Sequence, residues 1–337
     1  MSRTPDRLPS PPPPTAGPKA RFAPEFGQRV LLTVDTEEEF DWSGPFTRDR
    51  HGLDHLPRLR NFQEFCESHG VVPSYLLDWP VATSALARDI LSDAVARGRA
   101  EVGIQLHPWV NPPFEEEVNA RNSYAGNLPP DLERAKFLRL RDAIAENFGA
   151  NPQLYRAGRY GFGPATAELL RDAGVGIDSS FRSLFDYRGG HGPDYSGYPL
   201  EPFWLDGDMS VLELPLTTVY WGMLRRQGRA LYPMLKRMPR TRGVFSRLGL
   251  LERIPMTPEG TTIDEAIRGL DMALDDRLPL IVLSFHSPSL ALGHTPYVET
   301  DADLDALYDW FRAVFAYLGQ HGVRPTTVAE IMRSVIG

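Results

Sequence analysis

The stretch VLLTVDTEEE at residues 30–39 is an apolar run that ends in a series of acidic side chains. A second run, LIVLSFHSP at residues 280–288, leads into a histidine. Short apolar runs bounded by polar and turn residues are typical of buried strands in a parallel sheet. Sites in α/β folds form just past the carboxyl ends of such strands. Asp35 and His286 are therefore candidate catalytic residues, because a carboxylate and an imidazole can move protons during hydrolysis.

Strand-like and helix-like patterns alternate outward from these two runs. Further strands are predicted at 71–78, 101–107, 153–157, 175–178, 209–216 and 322–326, and helices at 56–69, 85–97, 131–148, 164–173 and 304–318. Repeated βα units of this length predict an α/β fold whose parallel sheet is closed, or nearly closed, into a barrel.

A stretch at about 221–255 interrupts this alternation. It contains many basic residues at helical spacing and no predicted strand. We predict a helical insertion that acts as a lid, packs on the barrel or forms a contact surface. A solvated helical face is the simpler alternative.

Composition limits the classes of protein to consider. The chain has 337 residues, with 36 basic and 44 acidic side chains and a net charge of −8, which argues against a nucleic-acid-binding surface. The single cysteine, Cys66, is predicted to be a packed thiol. Residues 1–27 include a proline-rich tract and are predicted to be a disordered tail, with 28–337 forming one barrel domain. No apolar stretch is long enough to span a bilayer and the N-terminus lacks the apolar core of a signal peptide, so a cytoplasmic location is expected.

The polar residues after the predicted strands suggest a hydrolytic site. Alternation along a strand places Thr33, Asp35 and Glu37 on one face. Asp35 could take a proton from water while Glu37 holds a metal ion; a solvated acidic loop is the alternative. His107 ends the strand predicted at 101–107, and the proline-rich loop after it would hold it stiffly. A neutral imidazole there can bind Zn²⁺ beside a carboxylate, and a structural histidine is the alternative.

Two further groups are expected near these candidates. Trp109 and Phe114 offer flat apolar faces of the kind that stack on sugar rings. Arg156 could pair with Asp35 and hold it oriented, and the glycines at 158, 161 and 163 would let the backbone approach a ligand. The alternative for this segment is a glycine-rich turn with a surface arginine.

In chain order, these segments resemble the motifs of the polysaccharide deacetylases, the NodB-homology family of carbohydrate esterases. TVDTE at 33–37 looks like the first motif, in which the leading aspartate is the general base and a following acid binds the metal. RAGRYG at 156–161 resembles the motif that forms one wall of the substrate groove, which implies substrate-binding roles for Arg159 and Tyr160. DSS at 178–180 is similar to the fourth motif, and LSFHSP at 283–288 to the last, whose histidine is the general acid.

The resemblance covers roughly residues 28–330 and implies a distorted (β/α) barrel with fewer than eight strands. The HPW segment at 107–109 and FHSPSL at 285–290 look like the WalW-type subgroup. One departure concerns the metal. The family's second motif supplies two histidines four residues apart, and the matching positions here are His107 and Asn111. Asn111 would ligate more weakly than imidazole, and Gln105 could replace another ligand.

Three hypotheses follow from these residues. The first is a hydrolase that removes an acyl group, most simply acetyl, from an amino-sugar amide. Water activated by Asp35 and by a divalent metal on Glu37, His107 and Asn111 would attack the carbonyl. Backbone donors at 158–161 would stabilise the oxyanion and His286 would protonate the amine. The second is a non-catalytic carbohydrate-binding homologue. The third is a metal-independent amidohydrolase acting on a small C–N substrate.

Overall fold

A computed structural model describes residues 13–336 of the chain. Its strands are β1 Arg21–Phe22, β2 Arg29–Thr36, β3 Ser74–Leu77, β4 Glu101–Leu106, β5 Leu154–Ala157, β6 Ile177–Asp178, β7 Phe203–Trp204, β8 Leu212–Glu213, β9 Thr218–Trp221, β10 Glu252–Pro255, β11 Leu280–His286, β12 Arg324–Pro325 and β13 Val335–Ile336. Its α-helices are α1 Arg58–Ser68, α2 Trp79–Ala82, α3 Ala85–Ala96, α4 Pro130–Phe148, α5 Thr166–Asp172, α6 Gly228–Lys236, α7 Pro239–Arg247, α8 Ile263–Asp275, α9 Asp301–Gln320 and α10 Val328–Ser334.

The central sheet has the strand order β11-β2-β3-β4-β5-β6-β8-β7, with β12 pairing alongside β2. All of these pairings are parallel except that of β7 with β8. The register pairs His286 with Asp35 and Arg156 with Gln105. Parallel strands end at the same edge of a sheet, so these side chains gather at one end.

The sheet curls until its two ends approach each other. Thr217, just after β8, donates its backbone N–H to the carbonyl of Val282 in β11, and Ser284 donates to the carbonyl of Met256. These bonds across the gap nearly close the sheet. The predicted fold class, a distorted (β/α) barrel with a helical insertion, is confirmed.

Strand β2 shows why the site lies inside the barrel. Every residue of this strand is buried. Leu31 belongs to the apolar cluster inside the barrel, whereas Val34 and its alternate neighbours pack in the larger cluster under the helices. Thr33 and Asp35 share the face of Leu31 because side chains alternate along a strand. The barrel interior is therefore apolar at its amino end and polar at its carboxyl end.

The insertion differs from the sequence prediction in one respect. No strand was expected at 221–255, but β10 pairs antiparallel with β9, with Glu252 opposite Trp221. Helices α6 and α7 lie between these two strands, and α6 packs through Tyr232 and Leu235 against Leu251. The short strand β10 was missed because Glu252, Arg253 and Pro255 make up most of it and no apolar alternation marks it.

The N-terminal segment also differs from expectation where it is described. Residues 1–12 of the predicted tail lie outside the described residues. From residue 13 on, the segment contacts the barrel: β1 pairs with β13, Gly17 donates its N–H to the carbonyl of Trp204, and Phe26 is buried. Phe26 stacks on Phe22, so this part of the segment does bury an apolar face.

Candidate active site

The candidate residues meet at a cavity of about 310 Å³ at the carboxyl ends of the strands. Eight of the residues predicted for the site line it, namely Asp35, Glu37, His107, Trp109, Arg156, Arg159, Tyr160 and His286. Asn111 and Phe114 do not line it. Gln105 also lines it, together with aromatic side chains at Phe40, Trp42, Phe46, Tyr124, Tyr187 and Tyr297.

Arg156 binds the carboxylate of Asp35. The guanidinium is fully buried and forms an ion pair with Asp35 Oδ1. Its Nε donates to the carbonyl of Ser179 at 2.7 Å, and its two Nη atoms also donate to the hydroxyls of Ser284, Thr33 and Ser179. An arginine has five N–H groups in a fixed plane, and all of them have partners here. Arg156 is therefore a positioning residue that fixes the orientation of the Asp35 carboxylate.

Glu259 positions His286 on the other side. Its Oε2 accepts a hydrogen bond from Nδ1 of His286 at 2.7 Å, and its Oε1 accepts from the backbone N–H of His286 at 3.1 Å. Nε2 of His286 then lies 3.7 Å from Asp35 Oδ2. Burial lowers the pKa of His286, but the carboxylates of Glu259, Glu37 and Asp35 outweigh burial and raise the pKa to about 10. At neutral pH, His286 is therefore an imidazolium that can donate a proton from Nε2.

His107 directs the lone pair of its Nε2 toward the cavity. Its Nδ1–H donates to Glu38 Oε2 at 2.8 Å, which leaves Nε2 unprotonated and 3.4 Å from Glu37 Oε2. Burial lowers the pKa of His107 to about 4, so the ring is neutral at pH 7. A neutral imidazole fixed by a carboxylate at its other nitrogen is the usual state of a metal-binding histidine.

Behind His107 lies a cluster of carboxyl groups. Glu38, Asp78 and His107 each offer a ligand atom within 4.8 Å of the others and could hold a metal ion. However, Glu38 already accepts from His107 and from Trp109 Nε1, the latter at 2.7 Å. Asp78 accepts from the backbone N–H groups of Glu38 and Val81. Burial raises the pKa of Asp78 well above its ordinary value, as does its hydrogen bond to Glu38. We therefore interpret this cluster as the support that orients His107.

The polar atoms that fit a metal best are on the cavity side. Glu37 Oε1 and Gln105 Oε1 are buried and have no hydrogen-bond partner. Gln105 Nε2 lies 3.1 Å from Glu37 Oε2 and 3.4 Å from His107 Nε2. A 180° rotation of this amide would turn its oxygen toward the same point. Burial raises the pKa of Glu37 well above its ordinary value and outweighs the opposing effect of the His286 imidazolium. One carboxylate, one imidazole and one amide oxygen suit a divalent transition metal.

Asn111 and the predicted aromatic residues have other contacts. Asn111 Nδ2 donates to the carbonyls of Pro112 and Lys136, at 2.8 and 2.9 Å, and its side chain does not line the cavity. Trp109 borders the cavity but is only 2% exposed, because its indole stacks on His107 with ring centroids 4.4 Å apart. Phe114 is exposed, with the cations of Arg48 and Lys136 near its ring.

Several site residues were not found from the sequence. Trp42 lines the cavity with its ring edge-on to His286, 5.0 Å between centroids, and its buried Nε1 has no partner. Glu259 lies in a polar loop before α8, so no strand pattern marks it. Asp78 follows β3 directly, and this position at a strand end is the sequence feature that could have marked it as a site residue.

No family model and no curated protein matches this sequence. Among solved structures, the chain is similar to a candidate polysaccharide deacetylase from Mycobacterium smegmatis, with 16% identity and a TM-score of 0.48 over 95% of this chain and 98% of that chain. It is also similar to the peptidoglycan N-acetylglucosamine deacetylase Bc1960, with 13% identity and a TM-score of 0.46 over 94% and 92% of the two chains. A family CE4 pseudoenzyme from Bacillus anthracis has 11% identity and a TM-score of 0.41 over 90% and 65%. At these identities and TM-scores, the likenesses carry no argument about function.

Within residues 13–336, no helix combines the length and the apolar character needed to cross a bilayer.

Proposed function

We propose that this chain is a hydrolase of the deacetylase type, which removes an acyl group, most simply acetyl, from the nitrogen of an amino sugar. The proposal places it with the WalW-like polysaccharide deacetylases that its motifs resemble. The observation that carries it is the pair formed by Asp35 and His286 across one cavity, with Nε2 and Oδ2 3.7 Å apart. Each member of the pair has its own positioning residue, Arg156 or Glu259.

The two residues divide the proton transfers. Asp35 Oδ1 is engaged by Arg156, so Oδ2 is the atom that takes a proton from water. His286 is protonated at neutral pH, because the pKa raised to about 10 keeps the proton on the ring, and it donates that proton to the departing amine. This division is the one expected of a general base and a general acid at one amide bond.

A divalent metal fits this site on Glu37, His107 Nε2 and, after rotation of its amide, Gln105 Oε1. When bound, such an ion supplies Lewis-acid polarisation of the amide carbonyl and of water. Asn111 is left out of the proposed ligand set because its side chain does not line the cavity and its amide nitrogen donates to two backbone carbonyls away from it.

One observation favours the metal-independent amidohydrolase as a second candidate. Gln105 turns its amide nitrogen toward Glu37 Oε2 at 3.1 Å, which partly satisfies that carboxyl group without a cation. Metal content of protein purified without chelator separates the two candidates. Stoichiometric metal that is lost in Glu37→Gln supports the metal-assisted reaction, and full activity of metal-free protein supports the alternative.

A carbohydrate or a small amide is the proposed substrate. Trp42, Phe40 and Tyr297 line the cavity and are partly exposed, so their rings can pack on a sugar. The unpartnered Trp42 Nε1 could donate to a hydroxyl. A cytoplasmic location stays a prediction.

The experiment is a direct assay of amide hydrolysis. Protein loaded with Zn²⁺, Co²⁺ or Mn²⁺, and metal-free protein, would be incubated with N-acetylglucosamine, its short oligomers and its phosphorylated derivatives. Released acetate and free amine would be measured together, since a hydrolase produces them in equal amounts. His286→Gln should lose activity, and His69→Gln, an exposed histidine after α1, is the matched control. Absence of both products in every mixture, from folded wild-type protein, would favour the non-catalytic carbohydrate-binding homologue.

A further inference from the structure

A second cavity, of about 680 Å³, adjoins the active-site cavity. The two share Tyr124, Arg159 and Tyr187 in their linings, so these residues form the boundary between them. The outer wall of the second cavity comes from helix α6 of the insertion and from the loop after β6. We call this second cavity the outer groove.

The outer groove is strongly basic. It is lined by Arg159, Arg188, Arg229, Lys236, Arg237 and Arg253, and the one acid in the lining is Asp186. Asp186 forms a salt bridge with Arg188. Residues 221–251 contain eight Lys or Arg and no Asp or Glu, in a chain whose net charge is −8. Three of these eight, Arg229, Lys236 and Arg237, line the outer groove, so its wall carries part of this unbalanced positive charge.

Three arginines that line one or both of these cavities lack an acidic partner. In the described part of the chain, no carboxylate lies within salt-bridge distance of Arg159, Arg182 or Arg253. They are held instead by aromatic rings: Arg253 lies 3.4 Å from the centroid of Phe185, Arg182 lies 4.2 Å from the same ring, and Arg159 lies 4.1 Å from that of Tyr124. Each also donates hydrogen bonds to neutral acceptors. Arg253 donates one to the carbonyl of Leu184 at 2.8 Å, Arg182 one to the hydroxyl of Tyr187 at 3.4 Å, and Arg159 Nη1 donates to the hydroxyl of Ser123 and the carbonyl of Ala120.

For Arg159 and Arg253, such an arrangement is costly without a ligand. Burial lowers the pKa of Arg159 and that of Arg253, the direction expected when a cation loses water and gains no counter-ion. At Arg253 the rings of Phe185 and Tyr232 fix the plane of the guanidinium, and its single hydrogen bond leaves other edge N–H groups available. Planar forks of this kind bind phosphate in a bidentate manner.

We propose that the outer groove binds the phosphate or diphosphate of a phosphorylated amino sugar, whose acylated nitrogen enters the active-site cavity. This inference rests on the proposed function and adds the substrate class. A nucleotide-linked sugar and a lipid-linked sugar share this chemistry. Lys236 and Arg237, both exposed on α6, would bind the outer part of the diphosphate, and Arg253 and Arg159 the part nearest the sugar.

The first test is binding of inorganic pyrophosphate, measured by calorimetry on the full-length protein. Wild-type protein should bind it, and more weakly as salt is raised. Arg253→Gln should weaken binding about tenfold or more, since it removes a charge-assisted contact, and Arg253→Lys should weaken it less. Lys236→Gln with Arg237→Gln should also weaken binding, and these exposed positions cannot unfold the core. Arg240→Gln with Arg242→Gln is the matched control, because it removes two charges from exposed positions of α7 outside the groove lining.

The second test compares substrates. N-acetylglucosamine linked to a nucleoside diphosphate and to a short-chain lipid diphosphate would be assayed beside the neutral sugar. A preference for either charged substrate supports the inference and identifies the source of the phosphate. The Lys236→Gln/Arg237→Gln variant should then raise the KM for that charged substrate and leave the KM for the neutral sugar unchanged. A wild-type protein that binds no pyrophosphate, or folded groove variants that bind it as tightly as the control, would overturn it.

The two proposals fail differently. Pyrophosphate binding without any amide hydrolysis would contradict the proposed function and leave the anion site standing. Hydrolysis of neutral sugars by a protein that does not bind pyrophosphate would contradict the anion site and leave the proposed function standing.

Discussion

At the scale of residues, the site is defined by pairs, each of which has a reactive group and a group that positions it. Asp35 depends on Arg156, His286 on Glu259, and His107 on Glu38. The reactive members could be predicted from the sequence because each follows a strand of the parallel sheet. Glu259 and Glu38 could not, since Glu259 comes from a loop far along the chain and Glu38 is one of three consecutive acids whose individual directions depend on the backbone.

Asn111 illustrates the limit of spacing as a signal. It follows His107 by four residues and its N–H bonds to the His107 carbonyl, so a single turn does connect the two. The same turn leaves the Asn111 side chain facing helix α4, and the carbonyls of Pro112 and of Lys136 in that helix accept its N–H groups. The sequence alone does not show which side of the turn faces the cavity.

We predict that Glu259→Gln lowers the pKa of His286. Burial opposes protonation of His286, and the Glu259 carboxylate is the largest of the groups that raise its pKa to about 10. Loss of that charge should shift the titration of the imidazole toward neutral pH. NMR titration of ¹⁵N-labelled histidine in chelator-treated protein measures this directly. An unchanged titration in the folded variant would show that Glu259 does not keep His286 protonated.

At the scale of elements, the sequence predicts long periodic helices and buried strands well. Helix α4 was expected at 131–148 and spans Pro130–Phe148, and strand β4 was expected at 101–107 and spans Glu101–Leu106. Helix α8 was missed, although Thr262 and Glu265 form a capping box at its start. The strand expected at 209–216 shortens to Leu212–Glu213, because its pairing is limited by the short neighbours β6 and β7.

Helix α4 contains a buried acid that predicts a pH dependence of stability. Glu133 is 2% exposed and accepts a hydrogen bond from the hydroxyl of Thr166, and burial raises its pKa to about 7. The folded state therefore binds more protons at this group than the unfolded state, whose pKa is about 4.3. Its stabilising effect is complete below that lower value and is lost as pH rises through about 7.

Urea denaturation at several pH values between these limits should show the free energy of unfolding falling as pH rises, by up to about 1.4 kcal/mol per pH unit from this group. Glu133→Gln should remove that part of the slope. Glu146→Gln, exposed on the same helix, should keep it. Equal slopes in wild type and Glu133→Gln would mean that Glu133 is already ionised in the folded protein.

At the scale of the whole molecule, the two ends of the described chain meet. Strand β1 pairs with β13, and Phe26 packs in the cluster inside the amino end of the barrel. A proline-rich composition predicts a tail, but it does not show where the tail ends, because Phe22 and Phe26 are separated from any periodic pattern. The end of the tail is set by contacts between residues that lie more than three hundred positions apart in the chain, such as those of β1 with β13.

Two truncated proteins test this. A protein that begins at residue 28 should have a lower melting temperature than one that begins at residue 13, since it loses β1 and leaves a cavity at Phe26. Removal of a buried Phe side chain typically costs about 3–5 kcal/mol. Equal melting temperatures would show that the segment contributes nothing to stability.

If Asp35 and His286 act together on one amide bond, the turnover number for acyl release depends on both. Asp35→Asn and His286→Gln should each lower kcat about a hundredfold to ten-thousandfold, and the double variant should be little slower than either, because the two groups act as a unit. Asp35→Asn also leaves the buried Arg156 without its carboxylate, so circular dichroism must confirm that each variant is folded. Folded single variants that release the acyl group at near wild-type rates would contradict the proposed roles of Asp35 and His286.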